Sequence, residues 1–191
     1  MSSVGILYLA NTEAEVWLGF GNGIFYGCGY KHHVRYALGP SGIRPAGREA
    51  LASTRPITLA GNMVAYETFY ENPEVLERHL IVRDLGSGRV LHKAPTDSIK
   101  EPTFRRTAGA SEAHSVVLTA DGAVAWICGQ VGGYQVRAID KHGERVLAAG
   151  PEIAFESLSL SEPEFDYESF ARIGSTVYWT QGGKPMSARL E

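Results

Sequence analysis

The sequence predicts an all-β protein made of about four copies of one four-stranded unit. Gly and Pro are frequent, at 22 and 9 of 191 residues, and they separate short apolar runs as in many-stranded proteins. One six-residue phrase recurs along the chain, and an arginine follows each copy at a near-regular spacing. A single domain is expected, because all-β folds of this size commonly remain one domain.

The recurring phrase reads as a turn followed by a strand. It begins with a pair of residues that suit tight chain reversals, mostly Gly, Asn, Asp or Ser. A β-branched residue then occupies the fourth position and Tyr or Trp the sixth, so both face the same side of a strand. The copies are GNGIFY at 21–26, GNMVAY at 61–66, DGAVAW at 121–126 and GSTVYW at 174–179.

The arginine column gives the length of the repeat. Arg35, Arg83, Arg137 and Arg189 are separated by 48, 54 and 52 residues. Repeats that form one four-stranded blade of a β-propeller span about 40 to 50 residues. The sequence therefore predicts a small β-propeller of about four blades in one domain, with approximate repeats at 11–47, 48–95, 96–150 and 151–191.

The individual strands follow from the turns. The first repeat is expected to contain strands at 16–20, 24–29, 33–38 and 43–46, the second at 57–60, 63–69, 79–85 and 89–94, the third at 116–119, 123–129, 134–139 and 145–149, and the fourth at 169–173, 177–180 and 186–190. Because the fourth repeat is one strand short, the unassigned segment 4–10 is predicted to pair with 186–190 and complete the last blade. The alternative is that the four blades are part of a longer propeller.

One repeat resembles a known family. LTADGAVAW at 118–126, followed by YQVRAIDKHGERVL at 134–147, resembles the TolB-type, WD40-like repeat of bacterial β-propellers, although Thr119-Ala120 stands where that family has Ser-Pro. The resemblance implies a propeller that binds or scaffolds, often in an exported protein of the periplasm or the extracellular space. It implies no catalytic residues.

Composition excludes some partners. A net charge of -3, with 44% hydrophobic and 20% charged residues, is ordinary for a globular protein and gives no reason to expect nucleic acid or an anionic membrane. No apolar run has the length of a membrane helix, so no membrane insertion is expected. Cys28 and Cys128 occupy equivalent positions of two repeats, which a propeller places far apart, so they are expected not to form a disulfide.

The candidate ligand-binding residues are an acidic stretch and two histidines. SEPEFDYESF at 161–170 has no counterpart in the other repeats, and it alternates carboxylates with apolar residues. Calcium is a possible ligand, but alternate side chains of a strand lie about 6 to 7 Å apart, too far for all to bind one ion. A solvated sheet edge is the competing interpretation, and no other cofactor is expected. The candidates are Glu162, Glu164, Asp166, Glu168, His32 and His33.

The functional hypothesis is a non-catalytic binding or scaffolding propeller whose ligand is a protein, a small molecule or a carbohydrate. The longest irregular segments, 95–115 and 151–168, are expected on one face, where binding is predicted. Two alternatives remain open. One is a propeller-type hydrolase or lyase whose active site is assembled from several blades, and the other is a module of a larger propeller or assembly.

Overall fold

The structure is a computed structural model that describes residues 5–20, 22–41, 51–71, 76–96, 113, 115–130, 133–150 and 170–191. Every regular element in these ranges is a β-strand, which confirms the predicted all-β class. The same ranges contain no helix with the length and apolar character needed to cross a membrane.

Within the described ranges, fifteen strands form four sheets in which hydrogen-bonded neighbours are consecutive in the chain. The first sheet contains β1 (Gly5–Ala10), β2 (Ala14–Gly19), β3 (Ile24–Gly29) and β4 (Arg35–Pro40). The second contains β5 (Leu51–Ala60), β6 (Met63–Glu71), β7 (Leu76–Asp84) and β8 (Val90–Pro95). The third contains β9 (Ser115–Leu118), β10 (Val124–Gln130), β11 (Gly133–Asp140) and β12 (Gly143–Gly150). The fourth contains β13 (Ala171–Ile173), β14 (Thr176–Gln181) and β15 (Lys184–Arg189).

The predicted closure by the N-terminal strand is wrong. β1 pairs antiparallel with β2, so Leu7 lies opposite Trp17, and β1 belongs to the first sheet rather than the fourth. The cause is the Asn11 turn, which the sequence analysis did not assign. The Asn11 side-chain oxygen accepts hydrogen bonds from the backbone N–H groups of Glu13 (2.8 Å) and Ala14 (2.9 Å). A hairpin this short costs little loop-closure entropy compared with a partner at the other end of the chain.

Because β1 belongs to the first sheet, the first copy of the phrase stands one strand later in its sheet than the other copies do. The phrase at 21–26 precedes β3, the third strand of its sheet, whereas the other three copies precede the second strands β6, β10 and β14. The strands predicted for the second and third repeats are confirmed, with their ends shifted by a few residues. The strand predicted at 43–46 lies outside the described residues.

The turn at the start of each phrase depends on one glycine. Gly23, Gly61, Gly122 and Gly174 have φ values of 60°, 56°, 94° and 58°. Side chains with a Cβ atom rarely adopt this backbone conformation, so glycine allows the reversal without strain. This glycine is the third residue of the first phrase, the second of the third phrase and the first of the other two, so each copy has a glycine-dependent turn but not at the same position of the phrase.

The chain divides into two compact units, residues 1–96 with 118–122 and residues 97–117 with 123–191. Each unit has a core in which two sheets pack face to face. The core of the first unit contains Ala14, Val16, Phe25 and Leu38 of the first sheet with Val64, Tyr66 and the adjoining Leu85 of the second. The core of the second unit contains Ala123, Ala125, Ile127, Val136 and Ala138 from the third-sheet side with Phe170, Val177, Trp179 and Leu190 from the fourth.

Leu85 tests the packing of the first unit. It is fully buried, and its side chain fills the space that a Cβ atom on Gly27 would occupy, 2.6 Å from Leu85 Cδ2. Leu85→Ala should lower the free energy of unfolding by about 2 to 5 kcal/mol, because it leaves a cavity between the sheets. Urea denaturation measures the loss, and Val146→Ala, at a side chain that is 51% exposed, is the control. Equal effects of the two substitutions would contradict the packing described here.

Candidate functional site

The structure describes only two of the predicted site residues. Glu162, Glu164, Asp166 and Glu168 lie outside the described residues. His32 and His33 are exposed in the turn between β3 and β4, and His33 has a positive φ of 53°. Within the described part of the chain, no group of three or more His, Cys, Asp or Glu side chains is arranged to hold a metal ion.

His32 lies beside the turn that joins β7 to β8. A Cβ atom on Gly86 would lie 3.6 Å from its ring carbon Cδ2. Burial alone would raise the pKa of Asp84, but hydrogen bonds from the Ser87 hydroxyl (2.6 Å) and the Gly86 N–H (2.7 Å) lower it, and His32 adds to the lowering. His32 therefore contacts a structural turn in the first unit.

The repeated arginines interact with the repeated aromatic residues. The Arg35 guanidinium lies 4.4 Å from the ring centre of Tyr26, and that of Arg137 lies 5.5 Å from that of Trp126. Arg83 interacts with the Tyr66 hydroxyl and lowers its pKa, against a larger upward effect of burial. Two of the four arginines thus lie over an aromatic ring of their own repeat, and Arg83 interacts with an aromatic hydroxyl, so these three side chains interact within their own sheets.

The arginines reach these rings from different cross-strand positions. Side chains directly or diagonally opposite on one face of an antiparallel pair are close enough for a long side chain to touch a ring. The sequence column therefore does not correspond to one structural position. The residues directly opposite are Cys28 for Arg35, Val64 for Arg83, Trp126 for Arg137 and Thr176 for Arg189.

Asp84 and Asp140 do share a structural position, which the sequence analysis missed. Each ends the third strand of its sheet, and each carboxylate accepts a hydrogen bond from the backbone N–H two residues later, in Gly86 and His142. This is the Asx-type turn that Asp favours. The sequence signal was the Asp that opens the loops DLGSG at 84–88 and DKHG at 140–143.

Asp140 joins the third and fourth sheets within the second unit. Arg145 makes two contacts of 2.7 Å with its carboxylate, and the backbone N–H of Glu191 donates a third bond at 3.0 Å. Arg145 also donates to the Arg189 carbonyl at 2.8 Å. Burial opposes ionisation, but these bonds outweigh it and lower the pKa of Asp140 to about 2.

The Asp140 network should make stability depend on pH. A carboxyl group whose pKa falls from 3.8 to about 2 on folding stabilises the native state above pH 4, and this stabilisation is lost as the pH falls toward 2. Asp140→Asn should therefore lower the unfolding free energy by about 2 kcal/mol at pH 7 and by much less at pH 2. Chemical denaturation at a series of pH values measures this difference. Glu77→Gln, at an exposed carboxylate, is the control, and a difference that does not change with pH would contradict the assignment.

The outer face of the first sheet carries a row of apolar side chains in which Trp17 is buried. Here "outer face" means the side turned away from the first unit's core. Leu7, Trp17, Tyr26 and Ala37 form a row of successive cross-strand partners on it. The Trp17 and Tyr26 rings stack with centres 6.1 Å apart, and Leu7 is 60% exposed at the end of the row.

A small polar group lies on the same face next to this row. The Tyr30 hydroxyl donates to Glu15 at 3.4 Å, and Glu15 lies opposite Cys28 across the strands. Burial raises the pKa of Tyr30 and of Cys28, and the charge of Glu15 raises both further. A thiol with a raised pKa is a poor nucleophile at neutral pH, so this group favours packing over covalent chemistry.

The outer face of the fourth sheet is the corresponding feature of the second unit. It is the side turned away from the second unit's core. Ile173 is 72% exposed and Tyr178 is 40% exposed, and they are diagonal neighbours across β13 and β14. The sequence contained a signal for this face, since Tyr178 is the fifth residue of its phrase, where two other copies have Ala65 and Ala125.

Comparisons with known proteins add no assignment. No family model matches the chain, and no curated protein and no solved structure matches it.

Thiol reactivity tests the environment of the two cysteines. Neither is part of a disulfide; Cys128 is fully buried and Cys28 is half-buried. The unfolded, unreduced protein should show two thiols, and in the native protein Cys28 should react with a disulfide reagent more slowly than an exposed thiol. Glu15→Gln should accelerate the Cys28 reaction at pH 8, because it removes one cause of the raised pKa. An unchanged rate would show that Glu15 does not act on this thiol.

Proposed function

We propose that the protein is a non-catalytic binding or scaffolding module whose four sheets act as the blades of a small propeller-like array. The observation that supports this proposal best is the position of the exposed apolar side chains. Many of those in the described residues belong to the first and fourth sheets, and large exposed apolar surfaces usually mark interaction sites. They are Ile6, Leu7, Tyr8, Phe20 and Val34 in and beside the first sheet and Ile173, Tyr178 and Met186 in the fourth.

The polar chemistry of the described residues supports the same proposal. Asp84 and Asp140 both have a lowered pKa. Their carboxylate oxygens accept hydrogen bonds from backbone N–H groups and from neighbouring side chains. Arg35 and Arg137 lie over aromatic rings of their own sheets, and Arg83 interacts with the Tyr66 hydroxyl. These aspartates and arginines therefore stabilise the sheets. The exposed apolar side chains of the sheets are the candidate contacts for a partner.

The proposal is tested by following retention and turnover in the same mixture. The folded chain is incubated with small metabolites, oligosaccharides and peptides, and mass spectrometry measures both the protein-bound and the unbound compounds over time. The expected result is saturable retention of a compound that is recovered unchanged, with no retention by the heat-unfolded chain. Consumption of a compound at sub-stoichiometric protein, with a product appearing, would overturn the proposal in favour of an enzyme.

A further inference from the structure

Two arginines of the repeat lie over an aromatic ring but differ in what meets their N–H groups. The Arg137 guanidinium lies 5.5 Å from the ring centre of Trp126 and forms an ion pair with Glu144 of β12. The Arg35 guanidinium lies 4.4 Å from the ring centre of Tyr26, and within the described part of the chain it forms no hydrogen bond or ion pair. The third sheet therefore supplies a carboxylate to its arginine, and the described residues of the first sheet do not.

The contact with Tyr26 holds Arg35 in a position suited to binding. A contact with a ring leaves the N–H groups of a guanidinium available, and these groups match the two oxygens of a carboxylate. Tyr26 is itself held in place, because its hydroxyl accepts a hydrogen bond of 2.8 Å from the Asn22 side chain and its ring stacks on Trp17. An arginine held in this way loses less conformational entropy on binding than a freely moving side chain does.

The turn that precedes Arg35 adds positive charge. It joins β3 to β4, and residues 31–34 are all exposed. Three of these residues are basic, namely Lys31, His32 and His33. Lys31, like Arg35, forms no ion pair with the described residues. The segment 31–35 therefore presents two unpaired cationic side chains, in a chain whose net charge is -3.

Glu15 and Asp84 are the acidic groups to consider beside this segment. Glu15 lies in the same cross-strand row as Arg35, with Cys28 between them. Two strand spacings, about 10 Å, separate the backbones of these residues, and this is longer than the Debye length of about 8 Å in physiological salt. Glu15 also accepts a hydrogen bond from Tyr30, and Asp84 accepts hydrogen bonds from its own turn. Both carboxylates therefore have donors already, and Arg35 forms no ion pair with either.

We propose that the segment 31–35 binds an acidic peptide through an ion pair between a peptide carboxylate and Arg35. The pairing repeats the one that Glu144 forms with Arg137 inside the third sheet. Ion pairs of this kind are strong among hydrogen-bonded contacts, because both partners are charged and the guanidinium can reach both oxygens. This inference rests on the proposed binding role and names its partner.

The side chains beside Arg35 favour a peptide over a carbohydrate. Val34 is 45% exposed and precedes Arg35 in the chain, so an apolar residue next to the peptide carboxylate has a side chain to contact. A sugar ring would need an open aromatic face to pack against. Trp17 is only 6% exposed, and the Tyr26 ring contacts both Trp17 and Arg35. The two rings near Arg35 are therefore occupied by the protein itself.

A pair of labelled peptides tests the proposal with the full chain. One is an octapeptide that alternates Glu with Ala, and the other has Gln in place of Glu. Fluorescence anisotropy should show saturable binding of the Glu peptide and binding at least about tenfold weaker of the Gln peptide, because only the first can form ion pairs. Equal binding of the two peptides, or no binding of the Glu peptide up to millimolar concentration, overturns the proposal.

Substitutions of Arg35 locate the site. Arg35→Gln should weaken binding of the Glu peptide at least about tenfold, and Arg35→Lys about threefold or more, because lysine keeps the charge but lacks the planar arrangement of N–H groups. Arg172→Gln is the matched control, since it removes an exposed guanidinium in β13 that donates to the Gly174 carbonyl. It should change binding by less than about twofold. An equal loss in Arg172→Gln and Arg35→Gln would show that only net charge matters and would overturn the site.

Substitutions of Tyr26 test whether the ring positions Arg35. Tyr26→Phe keeps the ring and should retain binding, whereas Tyr26→Leu should weaken it about threefold, because Arg35 is then no longer held. Equal binding by both variants contradicts the positioning role. Thermal unfolding of each variant should match that of the unmodified chain, and the Arg35 variants decide the proposal if Tyr26→Leu unfolds.

Two further outcomes separate this inference from its alternatives. A sulfated oligosaccharide that binds at least about tenfold more tightly than the Glu peptide, and loses this affinity in Arg35→Gln, would overturn the assignment to a peptide. A chain that binds no acidic peptide but retains another compound would contradict this inference and leave the proposed binding role intact. Turnover of a retained compound would instead overturn the non-catalytic role, whether or not the peptide binds.

Discussion

The structure depends on the packing of an aromatic side chain in one sheet against a smaller or flatter apolar surface in the sheet before it. A β-strand points alternate residues to opposite faces, so a sheet with apolar residues on both faces is stable only when both are covered. Tyr66 and Trp179 are such aromatic residues, and both are almost fully buried. In both units, the sixth residue of the phrase in the later sheet meets this requirement.

The arginines and the aspartates serve this packing in different ways. Arg35 and Arg137 lie over the rings of Tyr26 and Trp126, which alternate along their strands with the core residues Phe25 and Ala125. Asp84 and Asp140 fix the turn after the third strand, which sets where the fourth strand begins. The Asp140 network also reaches Glu191, so one carboxylate stabilises a turn of the third sheet and the end of the fourth together.

Much of the fold could be predicted from the sequence, because turn residues and the alternation of apolar and polar residues along a strand are local properties. Gly61 and Gly122 mark reversals that the structure confirms, and the strands that follow them lie where the alternation of apolar residues places them. The pairing of β1 could not be predicted by counting strands, since it depends on whether Asn11 closes a turn with Ala14. The arginine column does not mark one structural position, because Arg35, Arg83 and Arg137 differ in cross-strand register, and an alignment does not show such differences. The exposure of Tyr178 had a signal in the sequence, because this residue stands where Ala65 and Ala125 stand in two other copies.

The consecutive order of the strands has a consequence for how the chain reaches this structure. Among the strands that the structure describes, every hydrogen-bonded neighbour is also the neighbour along the chain, including β1 and β2. Pairings of this kind close short loops, which favours rapid folding compared with sheets that join distant segments. The Asn11 turn therefore gives β1 a partner that lies only a few residues away in the chain.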